Sequence, residues 1–172
     1  LNVYSRSLNT AKSMEEIYEL TLDAAEKILG FEFADFLAIK GKTLCLEAYR
    51  GASRISSLEL PLSGNKGITV RTARTGKSLL VPDVSKEEAY VEGGLEINSE
   101  LAVPIKIGEK VLGVLNVESK ELDAFGQKDQ ELLEILASHA ATAMSNLDHA
   151  ENLEASAREI RESQEKFKRL FM

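Results

Sequence analysis

The chain has 172 residues, 44% of them hydrophobic, enough for one well-buried core with helix to spare. Its formal charge of −7 argues against nucleic acid or an anionic membrane as a main partner. A single cysteine, Cys45, excludes a disulfide framework or an all-cysteine metal site within one chain.

Residues 1–12 form a short helical segment with Leu1, Tyr4 and Leu8 on one face. Ser13, three residues before Glu16, is a capping box that opens the next helix; Ile17, Leu20, Ala24, Ile28 and Leu29 make its apolar stripe, and Gly30 ends it. Two strands follow, "ADFLAIK" and "TLCLEAY", joined at Gly41-Lys42, then a third, "SLELPL", that stops at Ser63-Gly64-Asn65. "KGITVRTARTG" is expected as a short helix closed by Gly76, and "SLLV" as a brief strand ended by Pro82. Asp83 to Asn98 is polar, contains Gly93-Gly94, and reads as a loop with one helical turn near Glu87 to Tyr90. The stretch from Asn98 to Ser119 is a β-hairpin turning at Gly108-Glu109-Lys110. Its return strand, "VLGVLNV", is apolar at nearly every position, so this sheet needs a cover on both faces.

From Gln127 onward the pattern is helical without an internal Pro or Gly, giving about 45 residues and ~68 Å of helix. A globule of this size is too small to cover such a rod. From Ala150 the positions follow a heptad, with Ala150, Ala157, Gln164 and Phe171 at one place and Leu153, Ile160 and Phe167 at the other. A parallel two-fold homodimer through the end helices is expected, with Leu153, Ala157, Ile160 and Phe167 at the interface. The fold class is α+β: about six mostly antiparallel strands, end helices on one face, and loops with short helices on the other. No apolar run approaches bilayer length and no signal peptide opens the chain, so a cytoplasmic protein without membrane insertion is expected. The abrupt ends read as those of a module cut from a longer protein.

"KGITVRTARTGKSLLVPDVSKEEAY", "SELAVPIKIGEKVLGVLNVES" and "AFGQKDQELLEILASHAATAM", in that order, closely resemble a GAF domain over Ser13 to Leu147. The resemblance divides the chain into residues 1–12, a GAF domain over 13–149, and a signalling helix over 150–172. The tail "ESQEKFKRLFM" resembles the opening helix of a PAS domain, which often follows a GAF domain in sensor histidine kinases. Cyclic-nucleotide-binding members of the family carry a motif matched here at Lys120, Phe125 and Asp129 but not at Ser119 or Gln130. That partial match is expected to serve the fold, with Lys120 and Asp129 as an exposed ion pair worth ~0–1 kcal/mol.

Catalytic signatures are sparse. His139 has Ala140 after it and Ala143 four positions on, unlike a histidine-kinase phosphoacceptor, and reads as a half-buried helix residue. His149 lies about 15 Å further along the helix, too far to share a metal with it. Cys45-Leu46 lacks the histidine context of bilin attachment, and relatives that reduce free methionine sulfoxide use several cysteines. "SGNKGITV" lacks phosphate-loop spacing. A non-enzymatic fragment without catalytic or metal-binding residues is therefore expected, and the sequence names no cofactor.

The resemblance places a ligand between the sheet and the middle segments, where Asp35, Tyr49, Ile68, Thr69, Tyr90, Val91, Ser99, Leu101 and Asn116 would face the space. Ile68 and Thr69 open a helix whose N–H groups can receive an anion, while Asp35, Glu92, Glu96 and Glu100 oppose a phosphate. Whether Tyr49, Tyr90 and Leu101 instead fill the space as core stays open. Two functions follow. One is a sensory GAF module of signal transduction, in a two-component histidine kinase, that binds a small molecule and relays it through a dimeric helix to a C-terminal output or PAS domain. The other is a structural dimerisation module with a filled pocket inside another regulatory enzyme.

Overall fold

The computed structural model describes residues 2–51, 58–88, 90 and 96–172. Leu1, Val91, Glu92 and Gly93-Gly94 lie outside them. Helices α1 (Asn2–Asn9) and α2 (Met14–Lys27) precede strands β1 (Phe33–Lys40), β2 (Thr43–Arg50) and β3 (Glu59–Pro61). Helix α3 (Ile68–Thr75), strand β4 (Leu79–Val81), the hairpin β5 (Ser99–Ile107) and β6 (Lys110–Ser119), and helix α4 (Gln127–Phe171) complete the order. The strands form one antiparallel sheet in the order β3-β2-β1-β6-β5-β4.

The two-sided apolarity of "VLGVLNV" has a direct structural meaning. Leu115 and Val117 point to a core shared with Leu8, Ile17 and Leu22 of the first two helices and Leu133, Leu136 and Ala140 of α4. Val114 points the other way, into a smaller core with Phe33, Leu37, Ile68, Val70, Val81, Val84 and Ala102. Helices therefore cover one face, and α3 with the segment after β4 covers the other. Gly113 lets β6 lie close against β1: a Cβ there would collide with the backbone oxygen of Leu37.

Local chemistry sets the helix ends. Ser13 accepts from the Glu16 N–H at 3.2 Å, and the Glu16 carboxylate reaches back to the Lys12 N–H at 2.9 Å. Gly76, with φ of 64°, closes α3 in the left-handed conformation that glycine adopts without strain. The turn expected near Glu87 to Tyr90 is present, the Tyr90 N–H donating to the Glu87 carbonyl at 3.1 Å. It follows a 3-10 turn at Val84–Lys86 that Asp83 caps by accepting from the Ser85 N–H at 3.1 Å. Lys120 and Asp129 do not pair with each other. Asp129 accepts from the Gly126 N–H at 2.8 Å to start α4, and Lys120 lies over the Phe33 ring, 5.8 Å from its centre. The first half of α4 packs on the sheet; every residue from Ala150 on is exposed, with no coiled-coil partner among the described residues.

Arg50 at the end of β2 ties the sheet to α2, donating to Glu19 at 2.6 Å and to Asp23 at 2.8 Å. The hydrogen bond from Arg50 holds the Asp23 carboxyl below its ordinary range. A carboxyl lowered in the folded state adds stability above its unfolded value near ~3.9, and that stability is lost as pH falls through the folded value. Asp23→Asn is thus expected to cost ~1 kcal/mol in urea melts at pH 7 and progressively less as pH falls below ~3.9, the pair being partly screened by solvent. Gly113→Ala is expected to cost ~2 kcal/mol or more in the same melts, since backbone rather than a movable side chain blocks the added methyl.

Candidate functional site

Strand alternation decides which side chains meet under α3. On β1, Phe33 and Leu37 belong to the smaller core, so Asp35 between them shares that face and is 7% exposed. Asn116, two residues after Val114 on β6, sits directly opposite Asp35 and is 2% exposed. Glu118 continues that face; its carboxylate accepts from the Asn116 amide at 3.2 Å. Across β5–β6, Glu118 stands opposite Glu100, which is buried beside Ala102. The centre of this face is therefore rich in hydrogen-bond acceptors: three carboxylates and one amide oxygen.

The amide oxygen of Asn116 is buried and has no hydrogen-bond partner among the described residues, as is the Thr72 hydroxyl of α3. A buried polar atom without a partner costs ~1–3 kcal/mol, so a ligand or water that completes it is favoured. The start of α3 adds donors. Gly67 to Val70 are buried, and no side chain caps the helix at Gly67.

The sequence-derived site residues divide between the two faces. Asp35, Asn116 and Tyr49 come together, with Tyr49 opposite Asp35 on β2 and half exposed. Ile68 and Tyr90 join the smaller core, and Thr69 is buried at the start of α3. Ser99 and Leu101 do not join them. Leu101 lies in the helix-side core, and the Ser99 hydroxyl donates to the Glu121 carbonyl at 2.7 Å. The register puts the odd-numbered residues of β5 under the helices, so Glu100 and Ala102 take the face expected for their neighbours. Glu118 and Thr72 were absent from the expected set. The two-residue spacing from Asn116 identifies Glu118, whereas nothing local marks Thr72.

Cys45 pairs with Ala38, whose side chain belongs to the helix-side core, so the thiol is on the opposite face from Asp35 and Asn116. Burial, reinforced by Glu59 and Glu47, pushes its pKa up. Among the described residues no group of His, Cys, Asp or Glu is placed to hold a metal, and no helix is long and apolar enough to cross a membrane.

A sheet with one helix-clad face and one face under a short helix and loops defines an α+β domain. The GAF domain pattern matches residues 11–145, and the chain belongs to that family. Free methionine-R-sulfoxide reductase of Saccharomyces cerevisiae is 31% identical over 101 residues, 58% of this chain and 54% of that protein. The chain thus spans about half the length of that curated relative. The Escherichia coli protein of the same name is 20% identical over 124 residues, 72% of this chain and 73% of that protein. The solved structure of free methionine-R-sulfoxide reductase from Neisseria meningitidis in complex with its substrate has a TM-score of 0.76 at 18% identity, covering 86% of this chain and 87% of that one. At that identity the likeness is one of fold.

These relatives correct the functional expectation. The similarity runs to proteins named as reductases, which overturns the sensor-histidine-kinase assignment, its two-component signalling role and the expectation of a non-enzymatic fragment. Counting cysteines misled because a single thiol bears on how electrons are delivered, and says little about ancestry. The raised thiol predicts that Cys45 is a slow nucleophile. Alkylation by iodoacetamide at pH 7.5 is expected to run about tenfold slower than for free cysteine. A rate equal to free cysteine would mean that the fold does not suppress ionisation of this thiol.

Proposed function

We propose that the chain reduces the sulfoxide of a free amino acid of the methionine-R-sulfoxide class, held on the sheet face under α3. The buried, unpartnered amide oxygen of Asn116 beside Asp35 carries this reading. An α-ammonium group supplies the donor that this amide oxygen lacks, and it is the group that a free amino acid has and a peptide residue lacks. The α-carboxylate suits the uncapped start of α3, where N–H groups converge. The names of the curated relatives support the substrate class.

The electron balance limits the mechanism. Reduction of a sulfoxide to a thioether takes two electrons and two protons, and releases the oxygen as water. The chain has one cysteine, directed away from the site, so both thiols come from a small-molecule donor. One thiol displaces the protonated oxygen from the sulfoxide sulfur to make a sulfur–sulfur bond. The second attacks the thiol sulfur of that bond, giving the thioether, a disulfide and a proton. The protein's part is to hold the amino acid and shield the reacting sulfur. The exposed half of α4 has a separate role, pairing with a second copy as a coiled coil.

With dithiothreitol as donor, the protein is expected to reduce free methionine-R-sulfoxide above the protein-free rate. Cys45→Ser should leave that rate unchanged, and Asn116→Ser should lower kcat/KM about tenfold, the worth of one buried hydrogen bond to a charged group. Circular dichroism establishes that both variants fold. A rate no higher than buffer would overturn the reading, and loss of activity in Cys45→Ser would overturn the external-thiol mechanism.

A further inference from the structure

The exposed half of α4 is segregated in both charge and side-chain size. Near the domain it carries Asp148, Glu151, Glu154 and Glu159 against Arg158; towards its end it carries Arg161, Lys166, Lys168 and Arg169 against Glu162 and Glu165. The heptad places near the domain hold Ala150, Leu153 and Ala157, and those near the end hold Gln164, Phe167 and Phe171. The large residues have no cover: Leu153 is 72% exposed and Phe167 63%, and Phe167 stacks only on Phe171 of its own helix, with ring centres 4.5 Å apart.

We infer that the tails of two copies pair antiparallel, with the acidic, alanine-rich start of each lying along the basic, phenylalanine-rich end of the other. This rests on the pairing with a second copy proposed above. A parallel pair, as the heptad alone suggests, would set Ala150 and Ala157 against themselves and Phe167 and Phe171 against themselves, alternately underfilling and overfilling the seam. It would also align acid with acid and base with base. In the antiparallel pair each layer joins positions of opposite heptad type. Ala150 meets Phe167 of the other copy, Leu153 meets Gln164, and Ala157 meets Ile160, so a small or flexible side chain faces a large one throughout. Beside the seam, Glu154 of each copy comes next to Arg161 of the other, an opposite-charge contact made twice by symmetry.

Charge reversal and cross-linking test the arrangement in the full chain. Glu154→Arg is expected to weaken self-association about tenfold in sedimentation equilibrium, because two attractive contacts become repulsive. Adding Arg161→Glu should restore it. On a Cys45→Ser background, Ala150→Cys mixed with Phe167→Cys should form the mixed disulfide under oxidation. Disulfides of Ala150→Cys with itself, or no rescue by the second reversal, would overturn the antiparallel order while leaving the pairing intact. A monomer at every concentration would overturn the pairing as well.

Discussion

The close antiparallel contact of β1 with β6 is the constraint on which the rest depends. Gly113 removes the side chain that would strike the Leu37 carbonyl. The two strands at the middle of the sheet can then carry apolar side chains on both faces. One set draws α1, α2 and α4 onto the sheet, and the other draws α3 and the segment after β4. Each cover alone would leave the opposite apolar face in water, so the layers are stabilised together.

Polar chemistry is placed at the centre of that sheet rather than at its margin. Asp35 and Asn116 are direct neighbours on the two central strands, with Glu100 and Glu118 one strand further and further along. Their backbones are held by the sheet ladder and their opposite faces by packed helices, so these acceptors have fixed positions. Receptor groups on strands need little reorganisation on binding, which favours discrimination over adaptability.

The regular elements were legible in the sequence because periodicity and capping act locally. The strands of both hairpins, α3 closed at Gly76 and the full run of α4 lie where alternation and helical spacing put them. The turn at Glu87–Tyr90 lies where expected, whereas the 3-10 turn just before it, at Val84–Lys86, was missed because a single Asp83-to-Ser85 cap in a polar stretch has no periodic signature. The site was legible only in part. Asp35 and Asn116 follow from family position, but Ser99 and Leu101 fell on the wrong face because a strand's phase is set by its partner's register. The kinship to reductases was missed for a different reason: a lone cysteine says little about ancestry, whereas the residue pattern shared with those relatives does.

The bare half of α4 also sets how the single chain moves in water. At 1.5 Å per residue it projects roughly 33 Å from the packed domain, comparable to the width of the domain itself. It adds little mass but much drag against end-over-end tumbling, whereas spin about the helix axis is scarcely slowed. Rotational diffusion of a free chain is therefore anisotropic, and relaxation of each backbone amide depends on the angle its N–H bond makes with α4. The amides of α4, nearly all parallel to that axis, report the slow tumbling; amides inclined to it report a mixture.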